Sequence, residues 1–306
     1  MADRVSITRF NGNLRQTIKL GLSSIEGLKE AEGPYLIKPN LCTAVDHSHV
    51  ATIGPVFTKA VVDMIIEEDR NATVKIIESD SSGKWVAKAF ENLGYMKLIG
   101  EYKTQGYDVS LINLSNEPTT SIRLDGAHFK TMDVPTILTQ PKFFISLAKT
   151  KTHALTQITG ALKNQFGCLP DKNKIKHHNR IDKVIVDINN VINPNLIIID
   201  AITGLEGVTE GKTREIGVIL CGRYPASTDA VLARIMGFDP LKIGHIALAV
   251  EYNLGEFNPE VVGETVSAVA VKFRKTTSLV STLGKHVPEG LLPLAIDVYQ
   301  KLRQPS

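Results

Sequence analysis

Lys149, Lys151, His153, Lys163 and Asn164 crowd into one short stretch, "KTKTHALTQITGALKNQFG", directly after the apolar run "PKFFISLA". Ammonium groups bind and polarise carboxylates and phosphates, and an imidazole moves protons near neutral pH. A lysine buried among other cations has a lowered pKa and can serve as a base or as a Schiff-base amine. From Lys149 to Arg180 there are seven Lys or Arg, three His and one acid, Asp171. The second half, "PDKNKIKHHNR", reads as a loop. It either closes over an anion or is a solvated charged face. With a helix over residues 155–165, Leu155, Ile158 and Leu162 share an apolar face, and Thr156, Thr159 and Lys163 share the next one. The start of that helix is expected to offer free N–H groups to an anion.

Ligands of open α/β sheets bind beyond the carboxyl ends of the strands, so the residues that follow each strand matter. After "YLIK" come Asn40 and Cys42, then Asp46, His47 and His49. After "KIIES" come Asp80, Ser81, Ser82 and Gly83. "LIIIDA" leads to Thr203, Gly204 and Glu206, and "VILCG" to Arg223, Ser227 and Asp229. Asp200, Glu206 and Asp229 are carboxylates able to act as a base, orient a histidine or hold a metal. Asp200 could equally cap a turn, and Asp229 the first turn of its own helix. The residues do not name a cofactor; a divalent metal is one option, with Cys42, Cys168 and Asp200 as candidate ligands. Each cysteine also fits as a small buried hydrophobe.

The elements that must position these groups alternate between strand and helix, the pattern of an α/β sheet. "RVSITRF", "PYLIKPN", "TVKIIES" and "DVSLINL" read as strands. "PKFFISLA", "NLIIIDA" and "REIGVILCG" are continuous apolar runs expected at the sheet centre. "NLRQTIKLGLSSIEGLKEA", "GPVFTKAVVDMIIEED", "STDAVLARIMG" and "PLKIGHIALAVEYNLG" read as helices, and another is expected from Lys84. "SIRLDGAHFKTM" carries a hairpin signal in Asp125-Gly126. "ETVSAVAVKF" alternates like a late strand. The fold expected is α/β, a mainly parallel open sheet with helices on both faces, a hairpin insertion and a C-terminal helical extension. Residues 1–275 form one domain and residues 276–306 the extension, which is open to use in a homodimer.

The 306 residues, 43% hydrophobic and 22% charged with a net charge of +3, fit a globular chain and give no electrostatic case for nucleic acid. The lone aromatic of the basic stretch, Phe166, cannot provide a base-stacking platform. No run is long and apolar enough to span a bilayer. The start lacks an apolar signal region, and three scattered cysteines suit a reducing compartment, so a cytoplasmic setting is expected. Three cysteines also fall short of the four ligands of an iron–sulfur cluster. "GLEGVTEGKT" mimics a P-loop, but Glu206 stands where its first glycine belongs and a strand follows.

Four blocks, "LIKPNLC", "KTKTHALTQITGALKNQFGCLPDKNKIKHHNR", "LIIIDAITGLEG" and "YPASTDAVLARIMGFDP", resemble in order those of the domain-of-unknown-function 362 family. The resemblance implies site roles for Lys38, Asn40, His153, Thr159, Lys163, Asn164, His178, Asp200, Glu206 and Asp229. It also implies a redox connection, because many members carry ferredoxin-like cysteine motifs. This chain lacks them, and Val208-Thr209 replaces the family's Gly-Pro. The sheet is also similar, at the level of fold, to that of nickel-dependent lactate racemases.

The chain is therefore expected to be an enzyme that binds a small carboxylate or phosphate and performs acid–base or redox chemistry. His153, Lys163, His178 and Glu206 are the expected catalytic groups. Lys38, Asn40, Lys151, Thr156, Thr159, Asn164 and Asp229 are the expected substrate contacts. The alternative is a non-catalytic or metal-binding protein that docks an acidic, ferredoxin-like redox partner through exposed Lys172, Lys174 and Lys176.

Overall fold

The computed structural model describes residues 3–28, 33–44, 50–81, 85–140 and 142–276. The expected extension over residues 276–306 lies, Thr276 excepted, outside them, as do Asp46, His47, His49, Ser82 and Gly83.

The chain opens with β1 (Arg4–Arg9), α1 (Leu14–Ser23), β2 (Tyr35–Pro39), α2 (Pro55–Glu68) and β3 (Val74–Glu78). Two short helices follow, α3 (Val86–Asn92) and α4 (Tyr95–Thr104), then β4 (Val109–Asn113). The hairpin β5 (Thr119–Arg123) and β6 (Thr131–Pro135) precedes the long β7 (Phe143–His153), β8 (Gln157–Thr159), and the one-turn α5 (Ala161–Asn164). The remainder is α6 (Ile181–Val191), β9 (Leu196–Glu206), β10 (Lys212–Gly222), α7 (Pro225–Ile235), α8 (Gly244–Glu251), β11 (Glu260–Gly263) and α9 (Val266–Val269).

Among the described residues the main sheet has nine strands in the order β11-β1-β10-β9-β7-β2-β3-β4, with β8 folded onto β7. Strands β9, β7, β2, β3 and β4 run parallel to their neighbours in that row, and β10 is antiparallel to both β1 and β9. The sheet is thus mainly parallel, with β10 reversed near one side and the short β8 reversed against β7.

Both faces are covered, so alternate residues of the central strands serve two separate cores. Ile37, Ile76, Ile145, Leu147 and Ile198 pack with α1, α2, α3 and α4. Leu36, Ile77, Phe144, Ala148, Ile197 and Ile199 pack with α6, α7 and α8. α6 was not anticipated, although "IDKVIVDINNV" buries Ile181, Val184, Ile185 and Ile188 along one face. Its Asp187 also accepts the N–H groups of Ala127, His128 and Phe129 at 2.6–2.9 Å and so pins the β5–β6 loop to the body. That loop spans residues 124–130, wider than the two-residue turn expected at Asp125-Gly126.

Three expectations change. "REIGVILCG" is central but antiparallel, because β9 does not stop at Ala201. It runs on to Glu206 and turns back through Gly207 and Gly211, where a Cβ would collide with the carbonyls of Glu210 and Glu206. "ETVSAVAVKF" is not a strand. The Thr265 side chain accepts the Ala268 N–H and starts the turn α9 instead. Finally, no helix spans residues 155–165, and this last change reshapes the site.

Candidate functional site

β7 does not end with its apolar run. It continues through Lys149, Thr150, Lys151 and Thr152, all buried, to His153. The extension has partners on both sides: β8 pairs Lys151 with Thr159, and β9 pairs Lys151 with Leu205. Threonine and isoleucine in "TQIT" suit a pleated edge better than a helix. The chain reverses at Gln157, the Ile158 N–H bonding the Thr156 carbonyl at 2.7 Å, and becomes helical after Gly160. Leu155, Ile158 and Leu162 are still all buried. Thr156, Thr159 and Lys163 do not form one face. The Thr156 hydroxyl donates to the Ile158 carbonyl at 3.0 Å, and the Thr159 hydroxyl to the Lys149 carbonyl at 3.0 Å. Both threonines therefore stitch the hairpin.

The start of α5 is also occupied. Fully buried Asp229, from α7, accepts the N–H groups of Ala161 at 2.6 Å and Leu162 at 2.9 Å. The expected anion seat at this helix start is thus filled by the protein's own carboxylate, and Asp229 caps α5 rather than its own helix. A Cβ on Gly160 would collide with Asp229 Oδ1, which is why glycine precedes the helix. Burial pushes the Asp229 carboxyl up to about 6, against the pull of His245 and the two N–H groups.

From this capped turn, Asn164 reaches into the sheet. Its Nδ2 donates to the Lys38 carbonyl at 3.0 Å and Ser146 Oγ at 2.9 Å, and its Oδ1 accepts from Asn40 Nδ2 at 3.3 Å. Asn40 Oδ1 accepts from Lys151 Nζ at 3.0 Å, and Lys151 also donates to the Ala51 carbonyl at 2.8 Å. Lys38 is 1% exposed and donates to Glu78 Oε2 at 2.7 Å and to the Pro39 carbonyl at 2.9 Å. Gly167 lies against that ion pair, where a Cβ would sit 2.9 Å from Lys38 Nζ. Lys149 pairs with Asp200 at 2.6 Å, and the other oxygen of Asp200 accepts the Ile202 N–H.

Lys163 differs from these lysines. Half-buried, its ammonium lies 5.5 Å over the Phe166 ring and has no hydrogen bond or ion pair among the described residues. Burial and the Lys151 charge lower its pKa to about 8, with Cys42 acting the other way and Lys38 adding to the decrease. His178 is pushed down to about 4 by burial, then by the charges of Lys163 and His177. His153 is held well below the usual histidine range by burial, then by Lys163, His178 and Lys151. The His153 Nδ1 accepts the N–H groups of Leu155 at 3.1 Å and Thr156 at 3.4 Å. The ring proton of the neutral form therefore sits on Nε2.

The structure thus brings His153, Lys163 and His178 together beside Lys151, Lys38 and Cys42. Glu206 stands apart in the β9–β10 hairpin, bonded to Arg214 at 2.8 Å and to the Arg274 N–H at 2.8 Å. Burial opposes its charge, but these two bonds outweigh it and its pKa lies below the ordinary range. Of the expected metal ligands, Cys168 is fully buried in the core with its thiol pushed up to about 12 by burial. The half-buried Cys42 thiol donates to the Ala51 carbonyl at 3.2 Å. Among the described residues no three His, Cys, Asp or Glu side chains gather as a metal site. Lys174, expected on an exposed edge, is buried and donates to Ser79 Oγ at 2.7 Å and the Asp80 carbonyl at 2.6 Å.

Glu78 was overlooked in the sequence. A carboxylate closing the apolar run "KIIE", next to a strand that carries an internal lysine, is the signal that could have found it. His245 was also missed: it is fully buried in α8, 3.6 Å from Asp182, with neither ring nitrogen hydrogen-bonded among the described residues.

Fold and site together define an α/β protein with a cationic, histidine-bearing centre at the carboxyl ends of β2 and β7. The chain belongs to the DUF362 family, described only as a domain of unknown function, whose model matches residues 36–234. It is 26% identical, over 99% of its length and 93% of the relative's, to a thylakoid-associated protein of Synechocystis sp.. Among solved structures it is similar to the lactate racemase apoprotein of Thermoanaerobacterium thermosaccharolyticum, with a TM-score of 0.48, 9% identity and 82% of this chain covered. A protein from Thermotoga maritima gives a TM-score of 0.41, with 13% identity and 78% covered. The chain spans 56% and 59% of the lengths of those two structures.

Proposed function

We propose that the chain is an enzyme that binds a small carboxylate or phosphate at Lys163 and performs acid–base chemistry on it with His153 and His178. The observation that supports this reading is the Lys163 ammonium, held among Lys151, Lys38 and two histidines without an acceptor among the described residues. Burial first, and then the like charges of the cluster, lower the pKa values of its members, and an anion offsets both by favouring the charged forms. Neutral His153 offers its Nε2–H as a donor to the bound anion. Lys163, titrating near 8, can give or take a proton at physiological pH. Lys38, Asn40, Lys151 and Asn164 fix the frame through bonds to one another, so their role is to position and to supply field.

The alternative of an acidic docking partner has less support. Lys174 is buried and Lys176 is paired with Asp171 at 2.8 Å. Thermal unfolding in oxalate, pyruvate and phosphate tests the main reading. At least one anion is expected to raise the melting temperature of the wild type and to leave Lys163→Ala unmoved. Equal shifts in both proteins would remove Lys163 from the site, and no shift in the wild type would remove the anion.

A further inference from the structure

The geometry points to a covalent step at this site: we propose that Lys163 Nζ adds to the ketone carbon of a 2-oxo acid whose carboxylate is held in the field of the cationic cluster. This inference rests on the anion-binding reading above and names its substrate class. The contrast among the lysines motivates it. Lys38, Lys149, Lys151 and Lys174 are each buried and each held by an oxygen acceptor at 2.6–3.0 Å. Their Nζ atoms are committed to structure. Lys163 has no such bond among the described residues, is half-buried, and rests over the Phe166 ring. An amine without an acceptor, beside other cations, gives up its proton readily and so becomes a nucleophile. Lys163 titrating near 8 agrees with this.

The bond changes balance without an oxidant or reductant. The neutral Nζ attacks the carbonyl carbon, and its proton passes to the oxygen to give a carbinolamine. His153 Nε2–H, whose tautomer is fixed by the two N–H groups at Nδ1, hydrogen-bonds to the departing hydroxyl, which takes up from solvent the proton that the Lys163 ammonium released. Water leaves, and a protonated imine remains. The positive charge is then back on nitrogen, in a cluster that disfavours it. A simple aldehyde would leave that charge uncompensated, whereas a carboxylate on the adjoining carbon neutralises it. A 2-oxo acid carries both groups.

The test uses the full chain with pyruvate as probe and sodium cyanoborohydride, which delivers hydride to the imine carbon and makes the link permanent. Peptide mapping is expected to place one adduct per chain on Lys163, with a rate that saturates in pyruvate and falls when oxalate competes. The rate should rise about fivefold from pH 7 to pH 8 as the amine loses its proton. Lys163→Arg, with an unchanged melting temperature, should reduce incorporation to background. Should that variant not fold, wild-type mapping and oxalate protection decide the matter alone. An adduct spread evenly over exposed lysines, or one indifferent to oxalate, overturns the inference. If oxalate raises the melting temperature but pyruvate leaves no adduct, the covalent step falls and the anion site stands. If neither compound stabilises the wild type, both fall.

Discussion

At the scale of single residues, the carboxylates and lysines divide into those that hold the site and the few left to act. Lys38 and Glu78 form an ion pair whose side chains are 1% and 2% exposed. Removing one partner takes the buried counter-charge from the other in a low-dielectric interior. Lys38→Met is expected to cost about 3–5 kcal/mol in urea unfolding. The double variant with Glu78→Leu should recover most of that loss. Asp229 shows the opposite kind of dependence. Its pKa is about 6 in the fold against 3.8 as a free group, so the native state favours the protonated form. That contribution is fully present below pH 4 and is lost as pH rises through 6. It amounts to about 3 kcal/mol, by the rule of roughly 1.4 kcal/mol for each pH unit. The stability difference between wild type and Asp229→Asn should change across this window and be level above it. A difference independent of pH from 4 to 7 would contradict the buried carboxyl.

At the scale of elements, the site depends on one turn of helix and the carboxylate that caps it. α5 has four residues, too few to be stable alone. Asp229 holds its first two N–H groups, and Gly160 leaves room for that approach. Gly160→Ala should destabilise the fold by about 1–3 kcal/mol. It should also abolish anion-induced stabilisation, because Lys163 and Asn164 move with the turn. Retained anion binding in a folded Gly160→Ala protein would show that α5 does not position the site. Much of this was legible in sequence. β2, β3, β4 and the apolar half of β7 follow from composition, and His153, Lys163 and Asn164 from their residue types. The helix read over residues 155–165 was not there, because i, i+3, i+7 apolar spacing also arises when a strand turns into a hairpin and then a helix. The spacing names which residues are buried and not which element buries them. Nor does sequence separate Lys163 from Lys151 or Lys38. That distinction rests on acceptors from distant segments: Glu78, Asn40 and the Ala51 carbonyl.

At the scale of the whole molecule, no helix among the described residues is long and apolar enough to cross a membrane, and the net charge of +3 is spread over many ions of both signs. Long-range attraction is therefore modest, and anion affinity has to come from the local cluster. This makes the pH dependence of binding a readout of a few groups. His178 titrates near 4 and His153 lies well below its usual range, so both stay neutral from pH 7 to pH 9. Asp229, near 6, is already ionised there. Lys163, near 8, changes charge in that window. An unreactive dianion such as oxalate binds the protonated ammonium. Linkage then requires its affinity to be level below the free Lys163 pKa and to fall up to tenfold per pH unit above it. A ligand at one hundred times its dissociation constant stabilises by about 2.7 kcal/mol, which for a chain of this size is a shift of several degrees. The oxalate-induced shift should therefore be largest at pH 7 and shrink towards pH 9, whereas a Lys163→Arg protein, charged throughout, should show a shift independent of pH. An oxalate shift in the wild type that is level across the window would place the anion away from Lys163.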